Sequence, residues 1–141
     1  MVNTTIELFQ NSLIKTTEIL EEIERQLNIK NERRRSYHIL KTVLHIIRDR
    51  LTGSEAADLG SQLPLLVKAI YFDGWSPSRK PIKINKQEFF RKVDYEIGLL
   101  PGYTSEQIVK VVIVSLHKYV SSGEIEDIKA IWPKDLKEIF D

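Results

Sequence analysis

Three residues have the types and spacing of a metal-ligand set. His38, His45 and Asp49 are separated by seven and four positions, which on a helix places them on one face. Imidazole nitrogens and a carboxylate oxygen are donors that zinc accepts. A second chemistry is phosphate binding. Arg33, Arg34 and Arg35 run together, and Arg79, Lys80, Lys83, Lys86, Arg91 and Lys92 form a basic run interrupted by the single acid Glu88. A third is aromatic contact: Tyr71, Phe72 and Trp75 cluster next to a breaker-rich stretch, and such rings anchor partners or ligands or pin a loop to a core.

Each has a plainer reading. The histidine face lies opposite an apolar stripe, so the spacing predicts a solvated helix face and no metal or other cofactor. Lysine plus arginine number 21 against 20 aspartate plus glutamate, for a net charge of +1. That balance disfavours a dedicated nucleic-acid binder. The acidic residues Glu124, Glu126, Asp127, Asp135, Glu138 and Asp141 can neutralise the basic runs or bind them in a partner molecule. There is no cysteine, which excludes disulfides, thiolate ligands and cysteine nucleophiles. No serine sits in a nucleophile elbow, and no phosphate loop or dinucleotide fingerprint occurs. Enzymatic activity is not expected.

The N-terminus lacks a basic start followed by an apolar run, and no apolar stretch approaches the roughly 18 residues of a membrane span. A soluble cytoplasmic protein with no membrane contact is expected.

The elements that would carry these residues read as helices throughout. Thr4 with Glu7 has the pattern of a capping box, opening one long helix, with a break near Thr16-Thr17 as the alternative. A second helix from about Glu32 to Leu51 carries Ile39, Leu40, Val43, Leu44, Ile47 and Leu51 as one stripe. Thr52 and Glu55 form another capping box, and Pro64 opens a short helix. Residues 73–84 are a connector rich in glycine, proline and serine. Asn85 with Glu88 and Thr104 with Gln107 start two further helices. Ser121 with Glu124 and Pro133 start the last two.

The chain repeats itself. Residues 39–71 align without a gap on residues 108–140, an offset of 69, with eight identical pairs including Lys41/Lys110, Glu55/Glu124, Pro64/Pro133 and Ile70/Ile139. Ile19, Leu20, Ile23 and Leu27 correspond to Phe89, Phe90, Val93 and Ile97 at an offset of 70. The pattern predicts an all-α fold of about eight helices in two pseudo-symmetric four-helix halves sharing one core, within a single domain over 1–141. The repeats are about 4–72 and about 85–141. Thr42 and His45 are replaced by Val111 and Val114, so the sixth helix is expected to be buried on nearly all sides, with Ile6–Leu13 covering its second face. On that reading Val114→Asp would be severe and His45→Asp mild.

The segment Tyr37–Trp75, with RDRLTGSEAADLGSQLPLLVKAIYFDGW at its centre, resembles the bacterial domain-of-unknown-function family 2267. SSGEIEDIKAIWPKDLKEIF resembles that family's closing segment. The likeness runs from about Ile19 to Phe140. It implies an all-helical fold with paired halves, and it implies no activity or site residue.

The function expected from these readings is a non-catalytic binding or regulatory module for a protein partner, or a self-associating one. Its surface would draw on Arg33, Arg34, Arg35, His38, His45, Tyr71, Trp75, Arg79, Lys80 and Lys83. Nucleic-acid binding through 33–35 and 79–92 is the runner-up. A small-molecule cleft between the halves is third.

Overall fold

The computed structural model describes residues 3–78, 81–98, 100–119, 126, 130 and 134–137. Among them every regular element is a helix. In order they are α1 (Thr4–Gln26), α2 (Arg33–Asp49), α3 (Gly53–Ser61), α4 (Leu65–Phe72), α5 (Lys86–Ile97), α6 (Ser105–Lys118) and a four-residue piece, α7 (Lys134–Lys137). Six full helices are therefore described where about eight were expected. The expected helix starts at Ser121 and Pro133 lie outside the described residues.

Local chemistry sets most of the starts. The Thr52 hydroxyl accepts from Glu55 N at 3.2 Å while the Glu55 carboxylate accepts from Thr52 N. Asn85 with Glu88 and Thr104 with Gln107 close the same reciprocal pairs. Each box satisfies two of the four amides that a helix start leaves without partners. The expected box at Thr4 is not formed. Asn3 caps α1 by accepting from Thr5 N, one residue earlier. The one long helix expected is present, without the alternative break: Thr16 and Thr17 bend their hydroxyls back to the carbonyls of Ser12 and Leu13, both at 2.7 Å, and the helix continues. Pro64 stands just outside α4 as its cap residue.

α2 is the hub, packing against α1, α4, α5 and α6, while α1 and α5 also pack on α6. Ile19, Ile23 and Leu27 of α1, Ile39, Val43 and Ile47 of α2, Phe89 and Val93 of α5, and Val109, Val112 and Ile113 of α6 close one core. Removing each such apolar side chain from water stabilises the fold by about 1.5–3 kcal/mol. The expected cover over α6 is not present. Val114 is 44% exposed, and Ile6, Phe9 and Leu13 are exposed as well. The N-terminal turns of α1 reach α4 instead, where Leu66 N donates to the Ser12 hydroxyl at 2.9 Å.

Gly60 is where α3 comes closest to the aromatic end of α4. A Cβ there would run into the Phe72 ring, which also contacts Tyr71 and Trp75. Gly60→Ala is expected to destabilise by about 1–3 kcal/mol through overpacking. Combined with Phe72→Ala, the two losses should sum to clearly less than their separate values. Thermal melts of the three variants check this, and strict additivity would contradict the contact.

Candidate functional site

The polar face of α2 gathers the largest set of functional groups. Lys41, His45 and Arg48 follow at four and three positions and point to the end of α4. The last carbonyls of a helix lack intrahelical donors, and side-chain donors can take their place. His45 Nε2 donates to the Ile70 carbonyl at 2.7 Å. Arg48 Nη1 donates to the carbonyls of Tyr71 at 2.7 Å and Asp73 at 3.1 Å, while its Nε pairs with Asp49 at 2.9 Å. Lys41 Nζ meets the Asp73 carboxylate at 2.9 Å. One turn earlier His38 Nε2 donates to the Glu96 carbonyl, at the end of α5, at 3.0 Å.

His38 is exposed, as the apolar pattern predicts, but the rest of this face is not the solvated one expected. Arg48 is 4% exposed and Thr42 9%, and His45 is half-buried. Burial pushes the His45 imidazole below its ordinary value. The Ile70 carbonyl opposes that shift, while Arg48 and Lys41 add to it. The ring is accordingly neutral at pH 7 with its proton on Nε2, because a carbonyl only accepts. His38 and His45 thus both turn Nε2 to backbone oxygen, and no metal-ligand group of three occurs among the described residues. A hollow of about 400 Å³ remains between α2 and α5, lined by Tyr37, His38, Lys41, His45, Lys92 and Glu96 among others.

The basic residues separate. Arg33 Nε pairs with Glu24 at 2.7 Å, and Ser36 Oγ donates to the same carboxylate at 2.6 Å. The arginine at the start of α2 therefore clamps α1, which accounts for a cation at a helix end that disfavours it. Arg35 lies 3.5 Å from Glu32, and Arg34 is exposed. Lys83 is exposed in the connector, and Arg79 and Lys80 lie outside the described residues. Tyr71 is fully buried with its hydroxyl on the Ala56 carbonyl at 2.8 Å. Trp75 is half-buried against Phe72. The sequence reading missed Lys41, Arg48 and Asp73, although the spacing of Lys41, His45 and Arg48 on one face was available.

Two carboxylates of α1 are buried. Glu22 is held down to about 2, chiefly by the hydrogen bond from Arg25 and then by that from Gln26, against the opposing effect of burial. For Glu24, burial pushes the carboxyl up, and the Arg33 and Ser36 hydrogen bonds outweigh it to leave a net lowering.

A second surface is apolar. Ile6, Leu8, Phe9, Leu13 and Ile14 of α1 and Leu65 of α4 are exposed, Leu8 by 72%. Residues 16–139 match the model of a family of uncharacterized conserved proteins, DUF2267. The chain belongs to the DUF2267 family. The apolar turns of α1 precede the part that the DUF2267 model covers. No curated protein matches the chain. No helix among the described residues is long and apolar enough to cross a membrane.

Two outcomes are expected. His45→Asp would set a carboxylate against the Ile70 carbonyl and cost about 1–3 kcal/mol, a larger fall in Tm than for Val114→Asp. This reverses the order that the apolar pattern alone predicts, and paired melts measure it. Glu22 carries a lowered folded-state pKa, so its stabilisation is complete above 4.5 and is lost as pH falls towards about 2. Glu22→Gln should therefore lower stability at pH 7 and flatten its decline over that acid window, as read from denaturant midpoints across pH.

Proposed function

We propose that this DUF2267 member is a non-catalytic protein-interaction module whose contact surface is the N-terminal half of α1 with Leu65. The observation that carries the reading is the exposure of five large apolar side chains within Ile6–Ile14. Of these, Ile6, Phe9 and Leu13 lie on one helical stripe, which continues through Leu20, Ile23 and Leu27, where the body of the protein covers it. Contiguous exposed apolar surface marks sites that another molecule covers. Phe9 is the natural anchor, since aromatic residues dominate interface energetics. The engagement of Arg33 and Arg35 with acids of their own chain speaks for this surface over a phosphate-binding one.

The module is read as one domain of two related halves. Two carbonyls at corresponding positions, taken by donors that do not correspond, support that reading. Gln26 in α1 and Glu96 in α5 correspond at the offset of 70. The carbonyl of the first accepts from Tyr103 Oη at 3.2 Å and that of the second from His38 Nε2 at 3.0 Å. Cytoplasmic residence is part of the same proposal and rests on the absence of cysteine.

Phe9→Asp/Leu13→Asp tests the surface. Both side chains are about half exposed, so the variant should melt within about 1 kcal/mol of the parent. It should lose whatever association the parent shows by sedimentation equilibrium and by affinity capture with mass identification. Unchanged association, or a melt typical of a core lesion, overturns the proposal.

A further inference from the structure

Thr42 behaves unlike the threonines in the middle of α1. Thr16 and Thr17 return their hydroxyls to the carbonyl four residues back, the usual resort of a helical threonine. Thr42 is 9% exposed, yet its hydroxyl makes no hydrogen bond among the described residues. Native folds rarely leave a buried polar group in that condition. The residue lines the hollow of about 400 Å³ between α2 and α5. Lys92 lines the same hollow from α5. It is half-buried and makes no ion pair among the described residues, not even with Glu96 four positions on.

The charges around the hollow favour an anion. Lys41 is matched by Asp73 and Arg48 by Asp49, which leaves Lys92 and Glu96. Glu96 is exposed, so water screens the acid more than it screens the half-buried ammonium. At His45 the combined effect of Arg48 and Lys41 outweighs that of Asp49, and the local field is positive. Ile46 and the exposed ring of Tyr37 supply apolar wall. A bare inorganic ion would leave most of that volume empty.

We propose that the hollow binds a small organic oxyanion, a carboxylate or a phosphate monoester. Its charged end takes the Thr42 hydroxyl and the Lys92 ammonium, and its body lies against Tyr37 and Ile46. A hydroxyl donates to an anionic oxygen, and an ammonium adds a charge-assisted bond. Apolar walls with a few placed polar groups are the usual make-up of a small-molecule site. The site is separate from the apolar face of α1 and stands or falls independently of it.

NMR titrations of the full chain, at constant ionic strength in chloride, test this with benzoate, phenyl phosphate and inorganic phosphate. An organic probe should shift the Thr42 and Lys92 amide signals saturably. It should also raise the midpoint of the His45 imidazole titration, because the anion offsets the field of Lys41 and Arg48. The tighter of the two organic probes tells a carboxylate ligand from a phosphate monoester. Thr42→Val removes a hydroxyl that the fold leaves unbonded, so it should keep or raise Tm while weakening binding about fivefold. Lys92→Gln should weaken binding about tenfold. Glu96→Gln should tighten it, and the fold uses only the carbonyl of that residue. The proposal is overturned by absence of saturable shifts, by inorganic phosphate binding as tightly as both organic probes, or by unchanged affinity in Thr42→Val or Lys92→Gln. Weaker binding in Glu96→Gln would overturn it as well, because an anion gains from the loss of that acid.

Discussion

The architecture depends on donors from α2 reaching carbonyls at the ends of other helices. A helix end leaves its last carbonyls without partners, and leaving one unpaired in a buried place costs about 1–3 kcal/mol. Arg48 serves two of them, and His45 and His38 serve one each. Tyr71 returns the arrangement by donating to Ala56 in α3. These bonds run across long sequence separations, so they set where α4 and α5 end relative to α2. They also explain why a helix with histidine and arginine on one face can be the hub of the core.

Charge is used in the same structural way at the other end of α2. Glu24 is buried, yet it stays ionised because Arg33 and Ser36 both donate to it. Removing one partner of such a group leaves an uncompensated buried charge, which is worse than having neither. Arg33 is thereby committed to the joint between α1 and α2. Lys118 reaches Glu22 at 3.4 Å and extends the same acidic face to the end of α6. A run of arginines in the sequence thus resolves into one clamp, one short pair and one exposed side chain.

Much of the local structure was legible in the residues. The boxes at Thr52, Asn85 and Thr104 depend on side chains three positions apart, and nothing distant competes with them. The box at Thr4 failed because Asn3 offers a better acceptor one residue earlier. The ranking of α2 and α6 by burial failed for a different reason. Apolar patterning treats histidine, threonine and arginine as outward-facing, but they are buried readily when their donors find acceptors. Valine carries no such requirement and can stand half exposed, as Val114 does.

The sequence by itself determined the helical class, the positions of most helix starts, the core stripes of α1, α2, α5 and α6 and the family, because these follow from side chains a few residues apart or from linear pattern. Tertiary structure decided what each polar residue is for. Whether His45 faces water or the Ile70 carbonyl depends on where α4 lies, 25 residues away. Whether Phe9 and Leu13 join the core depends on how far the body of the protein extends along α1. Both are questions of which surfaces meet, and spacing along one helix holds no information about the helix opposite.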